Sequence, residues 1–122
     1  EIVKLLVDSK VNGDSATNNG ATPLYIACHK GDVEIVKLLM DYKVNGDLAT
    51  NDGITPLFIA CEEGHVEIVK LLMDYKVNGD LATNNGATPL YIACQEGDVE
   101  IVKLLMDSKV NGDLAMNGKR SC

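Results

Sequence analysis

Between residues 32 and 42 the chain reads DVEIVKLLMDY. Val33, Ile35, Val36, Leu38, Leu39 and Met40 form a broad apolar surface, and Glu34, Lys37 and Asp41 stay on the other side. This spacing predicts an amphipathic helix with one buried face. Asp32 is placed to cap it, and Glu34 complements the positive end of its dipole. Just upstream, TPLYIAC opens a second helical segment. Thr22 can accept from an otherwise unpaired backbone N–H, and Pro23 occupies the first helical position, where its missing N–H costs nothing. Leu24, Ala27 and Cys28 fall at helical spacing, and Gly31 ends the segment.

Neither helix is long enough to be stable in isolation. Both recur with a period of 33: Pro23, Pro56 and Pro89 share the step, as do Gly20, Gly53 and Gly86, and Cys28, Cys61 and Cys94. Residues 1–19 read as a partial repeat holding the second helix and a loop arm. Residues 20–52 and 53–85 read as full units, 86–118 as a third that loses the pattern at its end, and 119–122 as a tail expected to fray. The first two full units differ at only six positions, which suits recent duplication or a consensus-built origin. Stacking the units lets each helix pair bury its apolar face on the next. The expected fold is an all-α repeat solenoid of antiparallel helix pairs joined by hairpin-like loops.

The stretch KVNGD appears four times, at 10–14, 43–47, 76–80 and 109–113. Asn-Gly on its own is a strong hairpin signal, but here a helix precedes it rather than a strand.

The pattern GITPLFIACEEGHVEIVKLL at 53–72 recurs at 20–39 and 86–105, and its tail at 1–6. It resembles the ankyrin repeat over nearly the whole chain. The resemblance implies an L-shaped array with a concave face of loop tips and first-helix ends, and a convex back of second helices. It places the loop tip at Thr50–Gly53 and makes KVNGD the exit from the second helix. The sequence departs from the family in three places. Tyr25, Phe58 or Tyr91 stands where the family favours His, and Lys10, Lys43, Lys76 or Lys109 where it favours Gly. Thr17, Thr50, Thr83 or Met116 stands where an Asp usually opens the loop tip. A left-handed Lys43 would cost about 1–2 kcal/mol, so Gly46 is expected to absorb part of the turn.

Apolar residues make up 46% of the 122 residues and aromatics only 4%, so the core must be aliphatic. The net charge of −7 argues against nucleic acid and anionic membranes as partners, and permits a protein partner with a basic segment. No segment approaches the ~20 apolar residues of a membrane span. The chain opens at Glu1, inside a helical pattern, as a fragment or processed product would.

Candidate chemistry is thin. Adjacent units of such a stack lie about 10 Å apart, as the resemblance implies, whereas a disulfide needs Cα atoms within about 7 Å. Cys28, Cys61 and Cys94 therefore read as small buried residues, unpaired thiols in register that suit a reducing compartment and a cytoplasmic, intracellular setting. Cys122 reads as a reactive thiol or a remnant at a frayed end. His65 occupies a cap position and His29 a contact position, with no nucleophile matched to either. Glu34, Glu67 and Glu100 read as a solvated convex stripe, and Tyr25, Phe58 and Tyr91 as a packing column. The Gly-containing loops lack a phosphate-loop ending. No catalytic, cofactor or metal residue is assigned, and no cofactor is expected.

In a nearly perfect repeat, shared positions are those the stack requires, and differing positions are free of that demand. The differences fall at Ala21/Ile54/Ala87, His29/Glu62/Gln95, Lys30/Glu63/Glu96 and Asp52 against Asn19 and Asn85. With the tip residues Asn18, Asn51 and Asn84, these are the expected partner-binding residues of a non-catalytic protein-interaction module. Its groove is expected to turn acidic toward Glu62, Glu63 and Glu96. The alternatives are a spacer segment of a longer array, self-associating through an uncapped N-terminal end, or a regulatory array in cis to a catalytic or channel domain.

Overall fold

The computed structural model describes residues 12–108 and the backbone of 115–116 and 119–120. Its described helices form three pairs: α1 (Pro23–Lys30) with α2 (Val33–Asp41), α3 (Pro56–Glu63) with α4 (Val66–Asp74), and α5 (Pro89–Glu96) with α6 (Val99–Asp107). A short ladder, β1 (Ala115–Met116) with β2 (Lys119–Arg120), pairs antiparallel near the C-terminal end. First helices pack on first helices (α1 on α3, α3 on α5) and second helices on second helices (α2 on α4, α4 on α6). The helix-pair stack expected from the period is therefore present. The helix expected within residues 1–11 lies outside the described residues.

Local chemistry starts and stops each helix as the residue types demand. Thr22, Thr55 and Thr88 accept from the backbone N–H of Tyr25, Phe58 and Tyr91, each at 3.1 Å, and Pro follows at the first position. These threonines are buried, yet no buried side-chain polar atom among the described residues lacks a partner. Gly31, Gly64 and Gly97 end the first helices in the left-handed conformation, φ +80, +76 and +74. A Cβ would be strained there, which is why the position is Gly.

Packing supplies what eight- and nine-residue helices lack. Leu24, Leu57 and Leu90 are buried, as are Leu39, Leu72 and Leu105. Each such side chain contributes roughly 1.5–3 kcal/mol, more than a cap's ~1 kcal/mol. Two further stripes face along the array. Ile59 and Ile92 are 5% and 6% exposed, but Ile26, which has no described first helix before it, is 40% exposed. Met40 is 6% exposed and Met106, at the other end, 54%.

At the exit from the second helix the left-handed residue is the lysine, and Gly46 lies in the turn that follows. Lys43 and Lys76 themselves take φ +63 and +62, and Gly46 is not among the positive-φ glycines. Lys43 N–H bonds the Met40 carbonyl (2.9 Å) and Val44 N–H the Leu39 carbonyl (3.3 Å), the paired closure that needs a left-handed residue at this point. Lys76 and Val77 repeat it. Gly46 is glycine for a different reason: a Cβ there would lie 2.7 Å from Val77 Cγ1 and 3.2 Å from Met40 Cε. It lets the next unit approach.

Substituting Lys43→Gly together with Lys76→Gly should raise unfolding stability. Relief of two left-handed side-chain residues, at ~1–2 kcal/mol each, outweighs the ~0.4–1 kcal/mol of added chain entropy per site. Urea denaturation of the double variant should show a higher midpoint at unchanged slope.

Candidate interaction groove

Each loop closes on itself before it meets its neighbour. Thr50 N–H donates to the Ile54 carbonyl (2.9 Å), Gly53 N–H to the Thr50 carbonyl (2.8 Å), and Ile54 N–H to Thr50 Oγ1 (3.2 Å). The Thr50 hydroxyl is thus the acceptor that closes the tip. Residues 17–21 and 83–87 repeat the arrangement. The tips are then joined along the array. Asn51 N–H donates to the Asn19 carbonyl (3.0 Å) and Asn84 N–H to the Asp52 carbonyl (3.0 Å). Asn51 Nδ2 reaches the Asn18 carbonyl (3.1 Å), and Asn84 Nδ2 the Asn51 carbonyl (2.9 Å). The expected contact residues Asn51 and Asn84 therefore spend amide hydrogens on the stack.

The KVNGD stretches do the same one step earlier. Asp14 Oδ1 accepts from Asn45 N–H (2.9 Å), and Asp47 Oδ1 from Asn78 N–H (2.8 Å). Asn45 Oδ1 in turn accepts from Asp47 N–H (2.9 Å), which holds the carboxylate in place. On the second-helix side, Tyr75 OH donates to Asp41 of the preceding unit, and this bond, with some burial, raises the phenol's pKa. Ser108, at the Tyr75 position, bonds its own helix at the Leu104 carbonyl instead.

His65 corrects an expectation. Asp32 and Asp98 cap their helices by accepting from Ile35 and Ile101 N–H, but His65 makes no cap bond. Its Nε2–H donates back to the His29 carbonyl at 3.1 Å, and its ring fills the space where Gly31 would carry a Cβ. The His29 ring stacks parallel to Tyr25, and its Nε2 lies 3.8 Å from Glu63 Oε2, both side chains being about half exposed.

A groove of about 570 Å³ lies between the second and third helix pairs. From the loop tip and α3 it is lined by Asp52, Ile54, Phe58 and Glu62. From the next loop and α5 come Thr83, Asn84, Asn85, Ala87, Tyr91, Ile92 and Gln95. The structure thus brings together many of the residues singled out from the sequence. Others stand apart. Ala21 and Lys30 line a second groove, about 400 Å³, beside the exposed Ile26. Asn18 and Asn19 lend carbonyls to the tip ladder, and Glu96 is exposed at the end of α5. Ala21 and Ala87 are buried and offer little surface, because their backbones close the loop onto Thr17 and Thr83. Phe58, Tyr91 and Ile92 were not on the expected list. Phe58 could have been found, since it is one of the six differing positions.

The field over this face is negative. Burial raises the Tyr25 hydroxyl pKa first, and the carboxylates of Glu62, Glu63 and Asp52 raise it further. Among the described residues no group of three His, Cys, Asp or Glu could hold a metal, and no helix is long and apolar enough to cross a membrane. Cys28 and Cys61 are buried free thiols. Cys94 is not: it is disulfide-bonded, which corrects the expectation of three unpaired thiols in register. Cys122, the one remaining cysteine, lies outside the described residues.

The model of the family described as "Ankyrin repeats (3 copies)" matches residues 1–50 and 44–117. The chain belongs to the ankyrin repeat family. No curated protein matches it. Ankyrin repeats generally mediate protein–protein interaction, and the groove lies on the loop-tip and first-helix face of this ankyrin stack.

Two outcomes follow from this geometry. Asn51→Ala and Asn84→Ala should each cost roughly 0.5–1.5 kcal/mol by chemical denaturation, because each removes a bond between tips. Stability should also fall as pH rises above about 9. Burial pushes the Cys28 thiol from 9.0 to about 12, and Cys61 is shifted the same way. Below the unfolded value both states keep the proton. Above it the unfolded chain ionises first, so stability is lost by about 1.4 kcal/mol per pH unit and thiol until the folded thiol titrates. Cys28→Ala with Cys61→Ala should flatten that alkaline limb.

Proposed function

We propose that the chain is a non-catalytic protein-interaction module whose partner docks in the concave groove between the second and third helix pairs. One observation carries this reading. The four residues lining the groove from the loop tip and α3 are Asp52, Ile54, Phe58 and Glu62, and all four are positions at which the repeats differ. The stack is indifferent to these side chains, since the sister units carry others and adopt the same fold. A rigid, preformed groove lowers the ordering cost of binding. The net charge of −7 supports a protein partner rather than nucleic acid or an anionic membrane.

A second reading is a spacer segment within a longer array, able to self-associate through its N-terminal face. Ile26, 40% exposed beside the 400 Å³ groove, favours it, because Ile59 and Ile92 are buried by a first helix at the same position.

Affinity capture with Glu62→Lys plus Glu63→Lys tests the first reading. Partners retained by the parent chain should be lost by about tenfold or more, a change of ~1.4 kcal/mol. Retention at the parent level rejects this face, and concentration-dependent oligomers in sedimentation would favour the second reading.

A further inference from the structure

We infer that the groove selects a polypeptide segment that places an apolar side chain beside a lysine or arginine. This rests on the groove being the partner-binding face, and it names what that face recognises.

The floor is apolar and partly open. Phe58 and Ile92 are almost fully buried, whereas Ile54 and Tyr91 keep part of their surface in solvent. Ile54 matters most here. The equivalent Ala21 and Ala87 are buried and small, so only the second unit holds out a branched apolar side chain at this point. Partly exposed apolar surface in a concavity is the part of a site that gains most from being covered.

The walls are acidic. Asp52 and Glu62 line the groove, no lysine or arginine among the described residues does, and Glu63, which faces His29, stands next to Glu62 on α3. The sister units are neutral at the Asp52 position, where they carry Asn19 and Asn85, and they carry His29 and Gln95 at the Glu62 position. The Asp52 and Glu62 carboxylates are therefore specific to this groove, whereas Glu63 is matched by Glu96 in the next unit. Its reach is seen at Tyr25, one unit away, whose hydroxyl feels Glu62, Glu63 and Asp52. A cation brought beside the apolar floor would be attracted by both carboxylates, and an acidic segment would be repelled.

The repeat supplies fold-neutral substitutions for the test. Asp52→Asn, Glu62→Gln and Ile54→Ala each install the residue that a sister unit already carries at that position. Fluorescence anisotropy of the full chain would be measured against three sets of short synthetic peptides: apolar with basic, apolar with acidic, and basic with serine replacing the apolar residues. The apolar–basic peptides should bind at least about tenfold more tightly than either other set. Asp52→Asn with Glu62→Gln should weaken them about tenfold and flatten the salt dependence. Ile54→Ala should weaken them about fivefold and leave the salt dependence alone. Equal binding of all three sets, no binding of any, or apolar–basic binding indifferent to these substitutions overturns the inference. If these peptides show no preference while capture is lost on Glu62→Lys plus Glu63→Lys, the partner chemistry is wrong and the face stands. If capture is also unchanged, the face is wrong as well.

Discussion

Ile59 and Ile92 are buried because a first helix lies against each of them, and Ile26, without a described one, is 40% exposed. That contact between one helix pair and the next is what the remaining structure depends on. A helix of eight or nine residues does not hold its shape alone in water. Its threonine cap and proline start contribute about 1 kcal/mol, too little to change that. Burial of Leu57, Ile59, Cys61, Val69 and Leu72 between neighbours does change it, and each unit reaches its conformation only as part of the stack.

Register along the array is set at its edges. The apolar faces are broad and could slide. The bonds from Asn51 to Asn18 and Asn19, from Asp14 to Asn45, from His65 to His29 and from Tyr75 to Asp41 each tie one unit to the next. Singly they are modest. Together they span the tip, the loop arm, the helix turn and the convex side, so the groove between units has a defined shape. Lys43 and Lys76 accept left-handed backbone in the same service, closing the second helix so that Val44 and Val77 can turn inward against Gly13 and Gly46.

The division of labour between repeated and unrepeated residues follows. The buried leucines of the helix pairs repeat, because each is packed against a neighbour that must match it. Repetition lapses at the groove, and also at His65 and Tyr75, whose side chains bond the preceding unit. Asp52, Ile54, Phe58 and Glu62 lie together in space although the sequence spreads them over a loop and a helix. A face assembled from such positions can acquire a specificity without disturbing the array that carries it.

Much of this was legible in the residues themselves. The helices, their starts at Thr-Pro and their glycine ends follow from signals contained in one 33-residue unit, the stacking from its recurrence, and the loop tip at Thr50–Gly53 from the resemblance to the ankyrin repeat. Such signals are local: a cap, a missing N–H or a period of apolar positions acts within a turn or two. What was missed has the opposite character. Gly46 was expected to take part in the turn, and it also leaves room for Val77; His65 was read as a cap or surface residue, but it makes no cap bond and donates to the His29 carbonyl. Asn51 and Asn84, expected at a partner contact, also give amide hydrogens to the preceding tips. These contacts join residues 31 to 36 apart, and no local propensity reports on them. One unit's chemistry was enough to predict the helix pair. What each polar side chain gives to the stack was decided only when neighbouring units came together, because those bonds reach across a whole repeat.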